Sequence, residues 1–127
     1  MIIEIRETVS EQELSEINNM ISKSFGTSFS ESVENFEEYS FISDIYIAKK
    51  NGVVVGVLDI IIDTKEVIQL KSIEKGCGSA LIEAVKKDND SFHLYSLSSV
   101  SGFYYKCGLK SDNSYFFEYE KQTKTKD

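Results

Sequence analysis

A chain of 127 residues, 41% hydrophobic and 28% charged, is long enough for one compact domain with a real core and too apolar for a disordered tail. Its net charge of −7 excludes sequence-independent binding to nucleic acid, which needs a dense cationic face, so any anionic ligand must be held by a local feature. The longest apolar stretch, Val53 to Ile62, is interrupted by Asp59 and too short to cross a bilayer, and the opening MIIEIRE is charged where a signal peptide is apolar. The expectation is a soluble, cytoplasmic protein with no membrane partner. In that setting Cys77 and Cys107, each in an apolar helical pattern, stay reduced.

Residues Ile2 to Thr8 alternate well enough for a first strand. SEQE, Ser10 to Glu13, is a capping box opening a helix with Leu14, Ile17, Ile21 and Phe25 on one face and Gly26 as its stop. A second box at Ser28 to Glu31 precedes Phe29, Val33, Phe36 and Phe41 and predicts a shorter second helix, whose outer face carries Glu31, Glu34, Glu37 and Glu38. DIYIAKK and VVVGVLDIIID, joined by Asn51 and Gly52, form the strongest local signal, two antiparallel strands around a tight type I′ turn. After a polar turn at Asp63 to Glu66, VIQLKS is a third consecutive strand. Gly76 and Gly78 follow, and from there Cys77, Ala80, Leu81, Ala84 and Val85 recur along one helical face.

The polar KKDND run ends this helix, and FHLYSL is a short strand. Ser98 or Ser99 is placed to cap a helix carrying Val100, Phe103, Tyr104 and Cys107, with Gly108 as its C-terminal stop. The last strand is SYFFEYE, Ser114 to Glu120, with aromatics on both faces; monomer and homodimer both remain open. A single domain over 1–121 with a disordered tail at 122–127 is expected. The order β-α-α-β-β-β-α-β-α-β predicts an α/β (α+β) structure in which helices flank a mixed, largely antiparallel sheet.

The turn between Ser72 and Ser79 bears on function. A helix N-terminus presents unpaired backbone N–H groups and a partial positive charge, and glycines let a phosphate approach the backbone itself. Glu74, Lys75, Gly76, Cys77, Gly78 and Ser79 are placed to supply such donors. The pattern lacks the Lys-Ser/Thr pair of a Walker loop and the third glycine of a dinucleotide fingerprint. Taken alone, it holds a phosphate or only turns the chain.

The same element order, with a Gly-x-Gly turn after the fourth strand and GFYYKCGL near the C-terminus, resembles the GNAT superfamily of N-acetyltransferases over nearly the whole chain, most specifically Val67 to Leu109. That family holds the acetyl-coenzyme A pyrophosphate on a loop of the form Gln/Arg-x-x-Gly-x-Gly/Ala. Here Ile73, Glu74, Lys75, Gly76, Cys77 and Gly78 occupy it, with Ile73 in place of the polar residue and keeping a backbone N–H. The resemblance implies acetyl-coenzyme A as co-substrate and no metal. It places backbone groups of Ile68, Leu70 and Ser72 along the pantetheine arm, with one N–H polarising the thioester carbonyl. The family's later motif, Phe-Tyr-x-x-x-Gly-Phe, matches Phe103, Tyr104 and Gly108, with Leu109 closing it, and makes Tyr104 the candidate general acid. A phenol held within hydrogen-bonding reach can return a proton to a departing thiolate.

An amine that attacks a thioester must be neutral, so a base is wanted; Asp59, Glu66 and His93 are the candidates, and a water chain could serve instead. Cys77 and Cys107 read as small core residues rather than nucleophiles, which favours direct transfer without an acyl-enzyme. Lys71 and Lys75 are placed to neutralise phosphates. In the resembling fold the first two helices wall the acceptor side. The acidic second helix would draw a cationic amine, from a small molecule or a peptide. The rival reading is a catalytically inactive GNAT-like module that binds coenzyme A or another protein.

Overall fold

The computed structural model describes residues 1–23 and 42–122. The expected second helix with its acidic face, the stop at Gly26 and most of the C-terminal tail lie outside the described residues. The elements are β1 (Ile2–Arg6), α1 (Glu11–Ser22), β2 (Ser43–Lys50), β3 (Val53–Ile61), β4 (Val67–Ser72), α2 (Cys77–Asp88), β5 (Ser91–Tyr95), α3 (Ser101–Lys106) and β6 (Phe116–Glu120).

Local chemistry explains most boundaries. Ser10 accepts from the Glu13 amide while the Glu13 carboxylate takes the Ser10 amide, the reciprocal cap that the sequence announced, worth about 1 kcal/mol. Asn51 and Gly52 both have positive φ, 54° and 79°, as a type I′ turn demands, so β2 and β3 form the expected hairpin. Asn89 ends α2 by returning its side-chain amide and its backbone N–H to Val85 O.

Three expectations need correction. The first strand ends at Arg6, short of Thr8. The last begins at Phe116, because the Asn113 side chain accepts from the Tyr115 and Phe116 amides and Ser114 takes φ 60°, a turn that consumes the start of the predicted run. The helix expected from Ser98 or Ser99 begins at Ser101, after a 3₁₀ turn over Ser98–Val100, and its cap position is Val100, which has no capping side chain.

β1, β2, β3 and β4 form an antiparallel sheet in sequence order, while β5 and β6 pair antiparallel in a second sheet. Side-chain alternation gives the larger sheet two apolar faces. On one face Ile45, Ile47, Val54 and Val57 pack under α1 with Ile17, Met20 and Ile21. On the other, Tyr46, Ala48, Leu58 and Ile60 pack with Leu81, Ile82 and Val85 of α2 and with Phe92, Leu94 and Phe117 of the second sheet. The two sheets thus share one core through α2.

Candidate active site

β4 and β5 run parallel but touch at one end only, through the bridge of Glu66 with His93 and the bond from the His93 amide to Lys65 O at 3.0 Å. Beyond it the strands part. A bulge on β4 contributes to the divergence: Val67 and Ile68 together oppose Ile60 of β3, and an extra residue bends the strand that carries it. The opening is a cleft of about 720 Å³ walled by Val67 to Ser72, by Glu74 to Gly76, Gly78 and Ser79, and by Leu94, Tyr95, Leu97, Val100, Phe103 and Tyr104.

The ladder decides which β4 backbone groups face this cleft. The Ile73 amide donates to Val55 O at 2.9 Å, and in an antiparallel pair residues turn their N–H and C=O alternately toward and away from the neighbour. Ile73, Lys71 and Gln69 therefore spend theirs on β3, whereas Ser72, Leu70 and Ile68 turn theirs to the gap that β5 has left. The amide expected to remain available at Ile73 is thus engaged in the sheet.

At the mouth of the cleft, Gly76 takes φ 84° and Gly78 opens the first turn of α2. The Cys77 amide is given to Glu74 O at 3.1 Å and the Ala80 amide to Gly76 O. No described residue accepts from the amides of Gly76, Gly78 and Ser79, and no side chain caps the helix. The first turn carries no acid and the last carries Lys86 and Lys87. Glu74 is turned aside into an ion pair with Lys50 at 2.7 Å. An uncapped helix N-terminus whose neighbouring carboxylate, Glu74, is ion-paired with Lys50 is suited to an anion. Gly78 is also a packing requirement: a Cβ there would lie 3.1 Å from Phe103 Cζ. Gly78→Ala is expected to push Phe103 aside, with a stability loss of about 1 kcal/mol, checked by chemical denaturation.

The opposite wall carries the tyrosines. Tyr104 is half-buried against Phe103 and Phe117, ring centroids 5.1 and 5.5 Å away, and no described residue hydrogen-bonds its hydroxyl. Burial pushes the phenol up to about 12. Tyr105 is turned outward, its hydroxyl 2.9 Å from Ser114 Oγ and its ring against Phe117. The two adjacent phenols thus have separate surroundings, one in the cleft and one anchoring the loop before β6.

Comparison with known proteins gives no matching protein-family profile and no curated protein that matches significantly. Solved structures do match over nearly the whole chain. The PaiA N-acetyltransferase of Thermoplasma acidophilum, solved with coenzyme A, is 21% identical, with a TM-score of 0.63 over 94% of this chain and 99% of that one. Tetrahymena GCN5 is 14% identical, with a TM-score of 0.71 over 96% and 97%. Aminoglycoside 6'-acetyltransferase type Ii is 15% identical, with a TM-score of 0.70 over 98% and 100%. The chain has the GNAT fold.

Within this GNAT fold, Glu66 and His93 come together at the bridge that joins β4 to β5, with His93 Nε2 3.8 Å from Glu66 Oε1, and neither lines the cleft. Asp59, the third candidate base, stands apart from them on β3 and is buried. Cys77 and Cys107 are buried free thiols, as core residues should be. Burial pushes Cys77 up to about 11, with the Glu74 charge adding to it, so it is no nucleophile near neutrality.

Two residues of the site escaped sequence reasoning. Gly56 on β3 lets α2 approach, since a Cβ there would meet Cys77 Sγ at 2.4 Å. Its only sequence trace is a glycine inside an otherwise β-branched run. Lys86 on α2 donates to Cys107 O and pairs with Glu83 at 3.1 Å, closing the C-terminus of α3. There the Leu109 amide reaches Tyr104 O and the Gly108 amide reaches Tyr105 O, with Gly108 at φ 86°. This is a Schellman ending, which explains why GFYYKCGL needs its glycine.

Proposed function

We propose that the protein is an acetyl-coenzyme A-dependent N-acetyltransferase that passes the acetyl group directly to a primary amine. The observation that carries the reading is the conjunction, in one cleft, of an uncapped glycine-lined helix N-terminus, a strand edge turned away from its neighbour and a phenol that no described residue hydrogen-bonds. In this reading the amides of Gly76, Gly78 and Ser79 take the pyrophosphate, helped by the charge of Lys75. The outward N–H and C=O groups of Ile68, Leu70 and Ser72 pair with the pantetheine amides, extending the sheet by a ligand strand. Bound acetyl-coenzyme A supplies the thioester whose carbonyl carbon accepts the amine nitrogen as the carbon–sulfur bond breaks.

Tyr104 gives its hydroxyl proton to the sulfur that leaves and regains one from solvent. A phenol held up to about 12 stays protonated across the working range, which a proton donor requires. Glu66, with His93 beside it at the β4–β5 bridge, is the candidate to take the proton that the amine sheds, through a water chain because neither residue lines the cleft. The GNAT fold of acetyltransferases solved with coenzyme A supports the reading. Calorimetric titration with acetyl-coenzyme A tests it, followed by thiol release with a panel of amines. Micromolar binding and amine-dependent release are expected. Absence of binding at millimolar ligand would sink the reading, and binding without release would leave a coenzyme-binding module.

A further inference from the structure

The α1 face of the larger sheet carries a polar pair that packing does not explain. Leu58 and Ile60 enter the core under α2 and Val57 enters the core under α1, so Asp59, between Leu58 and Ile60, points to the α1 face. Its cross-strand partner on β4 is Gln69, which puts the two side chains next to each other. Asp59 is 1% exposed and Gln69 6%, yet Asp59 Oδ1 and Gln69 Oε1 have no hydrogen-bond partner among the described residues. Asn18 Oδ1, on the helix packed over β3 and β4, is a third buried acceptor in the same condition.

All three orphaned atoms are acceptors, and one belongs to a carboxylate. Buried polar groups are normally satisfied, and a carboxyl beside an amide carbonyl oxygen is satisfied by a group with several N–H donors and a positive charge. A stabilising role is a poor account of the pair, because an apolar pair would fill the position without desolvating a carboxyl. Gln69 also lines the cleft, which brings Asp59, its cross-strand neighbour, next to a cleft residue.

We propose that Asp59 and Gln69 form an ammonium-recognition site, which holds one protonated amine of an acceptor whose second, neutral amine is acetylated. The carboxylate supplies charge and the Gln69 carbonyl a second acceptor. The site deepens the acetyltransferase reading and rests on it only for the role of the bound molecule. The substrate class is a small diamine or polyamine, or a peptide presenting two amines.

The test uses 1,4-diaminobutane, with butylamine as the single-amine control, and reads binding by calorimetry apart from turnover. The wild type is expected to bind the diamine, Asp59→Asn to weaken it about tenfold or more with coenzyme A affinity unchanged, and Gln69→Leu to weaken it several-fold. In turnover, Asp59→Asn is expected to raise KM for the diamine and leave KM for butylamine within a factor of two. Equal diamine binding by wild type and both variants would overturn the site and leave the three acceptors to buried water. So would absence of diamine binding by the wild type at millimolar concentration. Diamine binding that depends on Asp59 in a protein that fails to bind coenzyme A would uphold the site and remove the acetyltransferase reading. Coenzyme-dependent thiol release indifferent to both substitutions would do the reverse.

Discussion

Replacing Tyr104 with phenylalanine is expected to slow amine-dependent thiol release about 100-fold, with the affinity for coenzyme A within a factor of two of wild type. The change removes only a hydroxyl, and no described residue hydrogen-bonds that hydroxyl, so the fold loses nothing it used. The ring contacts to Phe103 and Phe117, which are what hold the side chain, survive the substitution. The loss should appear in kcat rather than KM, because the proton is needed only as the thiol departs. Wild-type release should also fall at high pH as the phenol, held up to about 12, begins to ionise, and that limb should vanish in Tyr104→Phe. Parallel losses of turnover and coenzyme affinity would mean that Tyr104 is a packing residue of the cleft wall. Tyr105→Phe supplies the contrast: its hydroxyl holds the loop at Ser111 and Ser114, so it should cost stability and leave kcat nearly untouched.

Asp59→Asn is expected to stabilise the free protein, and by an amount that depends on pH. Burial pushes the Asp59 carboxyl up to about 6 from an ordinary 3.8, with the Asp44 charge adding to the rise and the Ser43 hydroxyl offsetting part of it. A folded-state value above the unfolded one means that the folded chain holds its proton after the unfolded chain has lost it. Wild-type stability therefore declines as pH rises from about 4 to about 6 and stays reduced above that. The asparagine variant is spared this decline. Its advantage should be small below pH 4 and reach on the order of 3 kcal/mol near neutrality, several degrees in Tm. Urea denaturation at a series of pH values measures it, and a pH-independent difference between the two proteins would show that Asp59 meets no desolvation cost. A cost of this kind is expected where a side chain serves a ligand rather than the fold, and a bound diamine should reduce it in the wild type.

Much of the candidate site's geometry was legible because its parts are backbone features with local sequence causes. Gly76 and Gly78 announce a helix that starts without a capping side chain, and Gly108 announces the turn that ends the tyrosine helix. Tyr104 was singled out by its place in GFYYKCGL, whereas its separation from Tyr105 depends on where Phe117 and Ser114 come to lie. Ile73 was misread for a similar reason: whether its amide is available depends on the register of β4 against β3, a relation between residues far apart in the chain.

The sequence by itself determined the order of the elements, the Asn51-Gly52 hairpin, the Ser10 cap and the glycine-led start of α2. Each is a consequence of short-range sterics and hydrogen bonding within a few residues. Only the tertiary structure decided that β4 and β5 part after the bridge at Glu66 and His93, that α2 rests on Gly56, and that Lys86 closes the helix bearing Tyr104. It alone placed Asp59 beside Gln69 with their acceptors unfilled. These relations arise from packing between segments distant in sequence. Alternation along one strand tells which residues share a face, and what stands opposite them is set by how the sheets and helices close around one core.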